Sequence, residues 1–143
     1  AELGFNLYRF SIEWARVEPE EGEFSLAELD HYRRMLAACH EHHITPMVTF
    51  HHFTTPRWVI AQGGWEADTT PAKFARYCER ATRHLGDLIG AACTINEANI
   101  GALLTSIGIL PPSEVLQQAS WWQAAAQALG VTLMHTDRRH FRH

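Results

Sequence analysis

Cys93-Thr94-Ile95-Asn96-Glu97-Ala98-Asn99 is the stretch that decides how the whole chain is interpreted. A short apolar run ends here abruptly in an amide, a carboxylate and a second amide. Parallel α/β folds use this pattern because the carboxyl ends of their strands, and the loops that follow, face the side of the sheet where ligands bind. The stretch therefore predicts a strand end that presents Asn96 and Glu97 to a functional site.

Composition places the chain among ordinary globular proteins. It has 143 residues, 46% hydrophobic and 20% charged, which is enough for one domain with its own core. The formal charge is −4 and no run of Lys and Arg exceeds two residues, so no nucleic-acid partner is expected. No apolar run approaches the roughly 18 residues of a membrane span, and no signal-peptide pattern opens the chain. These features predict a cytoplasmic protein without a membrane partner.

Apolar runs and helical periodicity alternate along the chain. Residues 5–11, 44–50 and 88–95 are predicted strands, and 15–24, which holds a proline, a glycine and four glutamates, is a predicted loop. A capping box at 25–28 opens one helix, and N-cap candidates at 68–71 open another that Gly86 closes. This βαβαβ order predicts a parallel sheet with right-handed crossovers.

Two groups of residues remain outside this pattern. Residues 98–104 and 115–129 are predicted helices, and 134–143 form a basic, histidine-rich tail after a domain that spans 1–133. The three cysteines are widely spaced and fit neither a disulfide framework nor a metal knuckle, so reduced thiols are expected. These three cysteines are Cys39, Cys78 and Cys93.

Polar candidates cluster at the carboxyl ends of the three predicted strands. Arg9 lies in the first, the pair 51–52 follows the second, and Asn96 and Glu97 follow the third. Those ends share one rim in a parallel sheet. A carboxylate flanked by an amide, an imidazole and a guanidinium can bind hydroxyl groups and transfer a proton.

Four motifs resemble, in order and spacing, those of the family 1 glycoside hydrolases, typified by β-glucosidases. They are Arg-Phe-Ser-Ile-Glu-Trp at 9–14, Val-Thr-Phe-His-His-Phe at 48–53, Gly-Gly-Trp at 63–65 and Thr-Ile-Asn-Glu at 94–97. The resemblance covers residues 1–104 well. It implies an α/β fold that is part of a (β/α)8 TIM barrel, with about three βα units that carry strands two to four. It also implies cofactor-free, retaining hydrolysis of β-linked glucosides or oligosaccharides.

The same resemblance implies roles for individual residues. Glu97 is implied to be the catalytic acid/base, and Asn96 to bind the sugar 2-hydroxyl. His52 is implied to contact the ring hydroxyls, with His51 a packed neighbour, and Arg9 to steady the carboxylate of the nucleophile. The family usually has Trp at position 53 and Pro at position 98, where this chain has other apolar residues.

Aromatic residues suggest a further contact with substrate. Trp14, Trp58 and Trp65 can line a sugar platform because aromatic faces stack on pyranose rings, and core packing is the alternative for each. Trp65, in the Gly-Gly-Trp motif, is included among the predicted substrate-binding residues.

The second carboxylate of the mechanism belongs, in the family, to a downstream Glu-Asn-Gly motif that these 143 residues do not contain. A retaining glycosidase needs two carboxyl groups ~5 Å apart, so the isolated chain is expected to be nearly inactive. Three strands would leave two sheet edges unpaired, and a homo-oligomer formed through those edges is expected.

A non-catalytic function stays open beside the enzyme. In this alternative a partial barrel self-associates and binds sugar or metal weakly. Histidines cluster at 40–43, at 51–52 and at 135–143. None of these clusters reproduces a recognised ligand signature, so no metal site is predicted.

Overall fold

The computed structural model describes residues 4–99, in which three strands alternate with helices. The elements, in order, are β1 (Leu7–Ser11), α1 (Trp14–Val17), α2 (Leu26–Glu41), β2 (Thr45–His51), α3 (Arg57–Ala61), a 3-10 turn (Gly64–Glu66), α4 (Thr70–Leu85) and β3 (Ala91–Ile95). The strands form one sheet in the order β1-β2-β3, and both pairs are parallel. The predicted parallel α/β architecture is confirmed for these residues.

The remaining predicted elements lie beyond the described residues. They are the helix at 115–129, the tail at 134–143 and all but the first two residues of the helix at 98–104. Those two residues, 98 and 99, are in a turn.

Within residues 4–99, no helix is long and apolar enough to cross a membrane.

Several boundaries differ from the prediction for physical reasons. The predicted loop at 15–24 contains most of α1, because Trp14 and Val17 are buried and the short helix turns both inward. The unpredicted α3 likewise buries Trp58 and Val59. β3 begins three residues later than expected, since Leu88 and Ile89 pack against the core before the strand starts.

The cap of α2 is half of the predicted capping box. Ser25 Oγ accepts a hydrogen bond from the Glu28 N–H over 3.3 Å. The reciprocal bond is absent, because the Ser25 N–H donates to the Val17 carbonyl and the Glu28 carboxylate lies 3.6 Å from Arg16 instead. Gly86 follows α4 with φ −60°, not in the left-handed conformation that a C-terminal glycine usually adopts.

The core lies between the sheet and the helices α2 and α4. Its buried members include Leu29, Tyr32 and Leu36 of α2, Val48 and Phe50 of β2, and Tyr77, Ala81 and Leu85 of α4. The Tyr77 hydroxyl lies 3.0 Å from the Ile12 carbonyl oxygen and 3.1 Å from that of Phe50, which fixes α4 across two strands. Helix α4 is therefore fixed against the carboxyl ends of β1 and β2.

Candidate active site

The carboxyl ends of the three strands line up along one edge of the sheet. Ser11 pairs with Thr49 between β1 and β2, and Thr49 pairs with Cys93 between β2 and β3. The Asn96 N–H donates to the His51 carbonyl over 2.8 Å, which extends the pairing one residue beyond β3. The parallel register thus brings the ends of β2 and β3 together as predicted. Arg9 is not at the end of β1 but is its middle residue, opposite Met47, and its long side chain reaches Asn96.

Arg9 links all three strands. Its Nε donates to Thr49 Oγ1 over 2.8 Å, and its Nη2 donates to Asn96 Oδ1 over 2.6 Å. A guanidinium has donors only, so the Asn96 atom that faces it must be the carbonyl oxygen. The Asn96 amide nitrogen is therefore the end of that side chain that can donate to a ligand. The predicted neighbours Arg9 and Asn96 are in direct contact.

His52 is exposed at the end of β2 and contacts the end of β1. Its Nδ1 lies 3.0 Å from Ser11 Oγ. The next residue, Phe53, adopts φ +69°, and the Thr54 hydroxyl lies within 2.8 Å of both Glu13 carboxylate oxygens. The loop that carries His52 is thus tied to the β1 end at two points.

Glu97 is exposed immediately after β3, where its backbone adopts φ +46°. A left-handed conformation is costly for a residue with a side chain, and such residues concentrate at functional sites. The turn takes the chain out of the strand direction directly after Asn96. Asn96 and Glu97 therefore both lie in the turn at the carboxyl end of β3.

Trp65 lies apart from the Arg9–Asn96 pair. It is half-buried, its Nε1 donates to Thr55 Oγ1 over 3.0 Å, and its ring meets the His51 ring edge-on at 4.8 Å between centroids. Trp14 packs against Trp65 and against Phe74 in the same aromatic cluster. The predicted contact of Trp65 with substrate stays a prediction.

Trp14 and Trp58 belong to the core. Both are buried, they pack edge-to-face, and the Trp58 indole N–H donates to the Glu18 carbonyl. Their aromatic faces serve packing, which is the alternative that the sequence left open.

His51 is buried beneath the rim, only 1% exposed. Its Nε2 lies 3.1 Å from Thr55 Oγ1. Burial lowers the pKa of His51 to about 4, and the neighbouring His52 contributes to the same shift. The ring is consequently neutral at neutral pH and acts as a packed neighbour of His52.

The three cysteines carry free thiols, Cys39 buried and the other two partly so. Burial raises the pKa of the Cys78 thiol to about 12, which makes it unreactive at neutral pH. Over the described range 4–99, no group of three or more His, Cys, Asp or Glu side chains is placed to hold a metal ion.

Sequence reasoning missed Ser11 and Thr49, which hold the side chains of His52 and Arg9. A signal for Ser11 was present, because residues two apart on a strand share a face and Ser11 is two residues after Arg9. For Thr49 the signal was weaker. Its hydroxyl is 40 residues from its partner along the chain, and only the register of β1 against β2 brings them together.

Comparison with known proteins agrees with this geometry. A sequence profile described as Glycosyl hydrolase family 1 matches residues 1–137. Coniferin beta-glucosidase from Pinus contorta is 36% identical over 116 residues, which cover 79% of this chain and 23% of that protein. Cytosolic beta-glucosidase from Homo sapiens is 32% identical over 114 residues, which cover 78% of this chain and 24% of that protein. The chain thus spans about a quarter of the length of these curated relatives.

Solved structures extend the likeness to the fold. The beta-glycosidase BGL167 superimposes with a TM-score of 0.81 at 59% identity, over 92% of this chain and 32% of that one. The family 1 b-glucosidase from Thermotoga maritima, in complex with isofagomine lactam, gives a TM-score of 0.69 at 35% identity, over 72% of this chain and 24% of that one. The parallel sheet and its helices are part of a (β/α)8 barrel of the glycosidase type. The chain belongs to glycosyl hydrolase family 1.

Proposed function

We propose that this chain is the part of a retaining β-glucosidase that carries the catalytic acid/base. The substrates would be β-linked glucosides or oligosaccharides, and no cofactor takes part. The observation that carries the proposal is the Arg9–Asn96 contact at the rim, directly before Glu97. It supports a site that holds a sugar hydroxyl beside a carboxylate, and family membership gives the reaction class.

In the proposed mechanism Glu97 acts twice. It first donates its proton to the glycosidic oxygen, while a second carboxylate attacks the anomeric carbon and the glycosidic bond breaks. Glu97, now ionised, then takes a proton from water as that water attacks the anomeric carbon of the glycosyl-enzyme and frees the second carboxylate. The product keeps the anomeric configuration of the substrate.

The neighbouring residues bind and orient. The Asn96 amide nitrogen donates to the sugar 2-hydroxyl, because its carbonyl oxygen is already bonded to Arg9. His52 contacts ring hydroxyls. Arg9 retains further N–H groups that can steady the second carboxylate.

The 143 residues contain no Glu-Asn-Gly sequence to supply that second carboxylate. Without it no covalent intermediate can form. We therefore propose that the chain alone has negligible activity.

A hybrid enzyme tests the proposal. Residues of BGL167 that match this chain are replaced by the chain itself, which restores a complete barrel. Hydrolysis of nitrophenyl β-glucoside by the hybrid is expected, as is loss of activity in Glu97→Gln. The loss should be far greater for an alkyl glucoside than for a dinitrophenyl glucoside, whose leaving group needs little protonation.

Two controls complete that experiment. Glu79→Gln, at an exposed site on α4, should leave the hybrid unchanged. Equal losses for both leaving groups in Glu97→Gln would show that Glu97 is not the acid, and an inactive but folded hybrid would contradict the proposed function.

A non-catalytic, self-associating partial barrel is the second candidate. The exposure of Phe5, Leu7 and Tyr8 at and before β1 favours it, because these apolar side chains flank a strand edge that has no partner within residues 4–99. Weak sugar or metal binding would accompany it. Ready hydrolysis of the glucoside by the hybrid would favour the enzyme over this non-catalytic function. The cytoplasmic location stays a prediction.

A further inference from the structure

We propose that Ser11 is a positioning residue: it donates a hydrogen bond to His52 Nδ1 and so holds the ring with Nε2–H directed away from β1 as a donor for a sugar hydroxyl. The use of that donor rests on the proposed function. The ring orientation and tautomer are properties of this chain and stand independently.

The position of the Ser11 hydroxyl is fixed by the sheet. Ser11 is the last residue of β1 and pairs with Thr49 of β2, and the following residue, Ile12, donates its N–H to the Thr49 carbonyl over 2.9 Å. Tyr77 holds the Ile12 carbonyl from the helix side. The pairing with Thr49 and the two bonds to Ile12 therefore restrain the backbone from which the Ser11 side chain projects.

The backbone of His52 is equally restrained. His51 before it is buried and contacts Thr55. After it, Phe53 holds a left-handed conformation and Thr54 bonds to Glu13. With the main chain held, only the two side-chain torsions of His52 stay free, and the 3.0 Å contact with Ser11 Oγ removes that freedom.

The direction of the contact and the tautomer of the ring are linked. The serine hydroxyl donates to Nδ1 when the ring proton is on Nε2 and accepts from Nδ1 in the opposite tautomer. We assign the donor role to the hydroxyl, because a neutral histidine side chain in water favours the proton on Nε2. Nε2 then faces outward as a donor. The opposite tautomer would turn Nε2 into an acceptor and would bind a different set of sugar hydroxyl orientations.

Nitrogen NMR of the 143-residue chain at pH 7.5 tests the tautomer directly. Long-range ¹H–¹⁵N spectra should show His52 with an unprotonated Nδ1 and a protonated Nε2. Ser11→Ala should shift both nitrogens toward the average of two exchanging tautomers. Ser11→Thr keeps a hydroxyl and suits a strand, so it should retain the wild-type shifts. Protonated Nδ1 in the wild type, or unchanged shifts in Ser11→Ala, would overturn the proposal.

Ser25→Ala is the matched control. It also removes one hydroxyl and weakens a helix cap, but it lies at the start of α2 and should leave the His52 shifts unchanged. A response of His52 to this variant as large as that to Ser11→Ala would also count against the proposal, because general loss of stability would then explain both.

The hybrid with BGL167 supplies the functional measurement. Ser11→Ala should lower kcat/KM about five-fold, the equivalent of one ordinary hydrogen bond, and Ser11→Thr should restore it. An inactive hybrid would contradict the proposed function while the NMR result on Ser11 stands. An active hybrid with no response to Ser11→Ala would show that the held ring does not contribute to sugar binding.

Discussion

The Nη2 atom of Arg9 lies 2.6 Å from Oδ1 of Asn96, so a residue of the first strand fixes the amide of a residue that follows the third. The side chain crosses β2 to do this, and Thr49 of β2 accepts the Nε–H on the way. The orientation of the Asn96 amide is therefore a product of all three strands and not of its own loop.

Thr49→Val tests the contribution of the hydrogen bond from Arg9 to the Thr49 hydroxyl. Valine matches threonine in shape but removes the hydroxyl that accepts from Arg9, so the free energy of unfolding should fall by about 1–3 kcal/mol. Arg9 loses one of its two anchors, and kcat/KM of the BGL167 hybrid should fall about five-fold. Thr49→Ser keeps the hydroxyl and should lie near the wild type. Equal activity of the Val and Ser variants would show that Thr49 does not position Arg9.

Glu18 should be the most sensitive charged residue in the described part of the chain. Its fully buried carboxylate accepts from the Trp14 indole N–H and the Gly22 N–H, each over 2.8 Å, and pairs with Arg76. Glu18→Gln replaces one acceptor oxygen by a donor and removes the buried carboxylate that pairs with Arg76. Urea unfolding should show a loss of about 3 kcal/mol.

Glu21→Gln is the control for that measurement. The Glu21 carboxylate lies 3.9 Å from the same arginine but is 39% exposed, so its change should stay within about 0.5 kcal/mol. Similar losses in both variants would contradict the assignment of the buried hydrogen bonds to Glu18.

His51 predicts a specific dependence of stability on pH. Its pKa is about 4 in the folded chain and about 6.5 when unfolded, so the unfolded state binds a proton first as pH falls. Stability should therefore be full above pH ~6.5 and decline between that value and pH ~4, by about 3 kcal/mol from this residue. Urea unfolding at several pH values measures the slope.

Two variants test whether His51 causes the dependence of the unfolding free energy on pH. His51→Gln removes the titrating group and should flatten this part of the profile, whereas His31→Gln, at an exposed position on α2, should leave it unchanged. A slope that survives His51→Gln would place the responsible group elsewhere.

The exposed edge of β1 predicts that the chain self-associates. Tyr8 is 50% exposed on that strand, and the wild-type chain should sediment as a dimer or larger species at micromolar concentration. Tyr8→Lys should shift it toward monomer, because charged residues at strand edges oppose pairing. Leu26→Lys changes an equally exposed residue on α2 and should not. A clean wild-type monomer would contradict the prediction.

The parts of the fold that sequence predicted are those set by local periodicity. The stripe of Leu29, Tyr32 and Leu36 is buried as its spacing required. The short helices α1 and α3 were missed because contacts distant in sequence stabilise them, such as Trp14 stacked on Tyr77 at 5.3 Å. The end of the third strand located Asn96 and Glu97, whereas Arg9 is the middle residue of β1 and only its side chain reaches Asn96. The Thr49 hydroxyl that holds Arg9 depends on the register of β1 against β2, which no local pattern encodes.

Phe53 and Glu97 share the left-handed backbone conformation that glycine adopts without strain. In the proposed mechanism the needs of folding and of catalysis consequently conflict at Glu97, since a glycine would relax the turn by about 1 kcal/mol and abolish the carboxylate. Directed evolution that rewards heat resistance alone would therefore drift toward inactive proteins at this position. Only a selection that requires turnover would retain the glutamate.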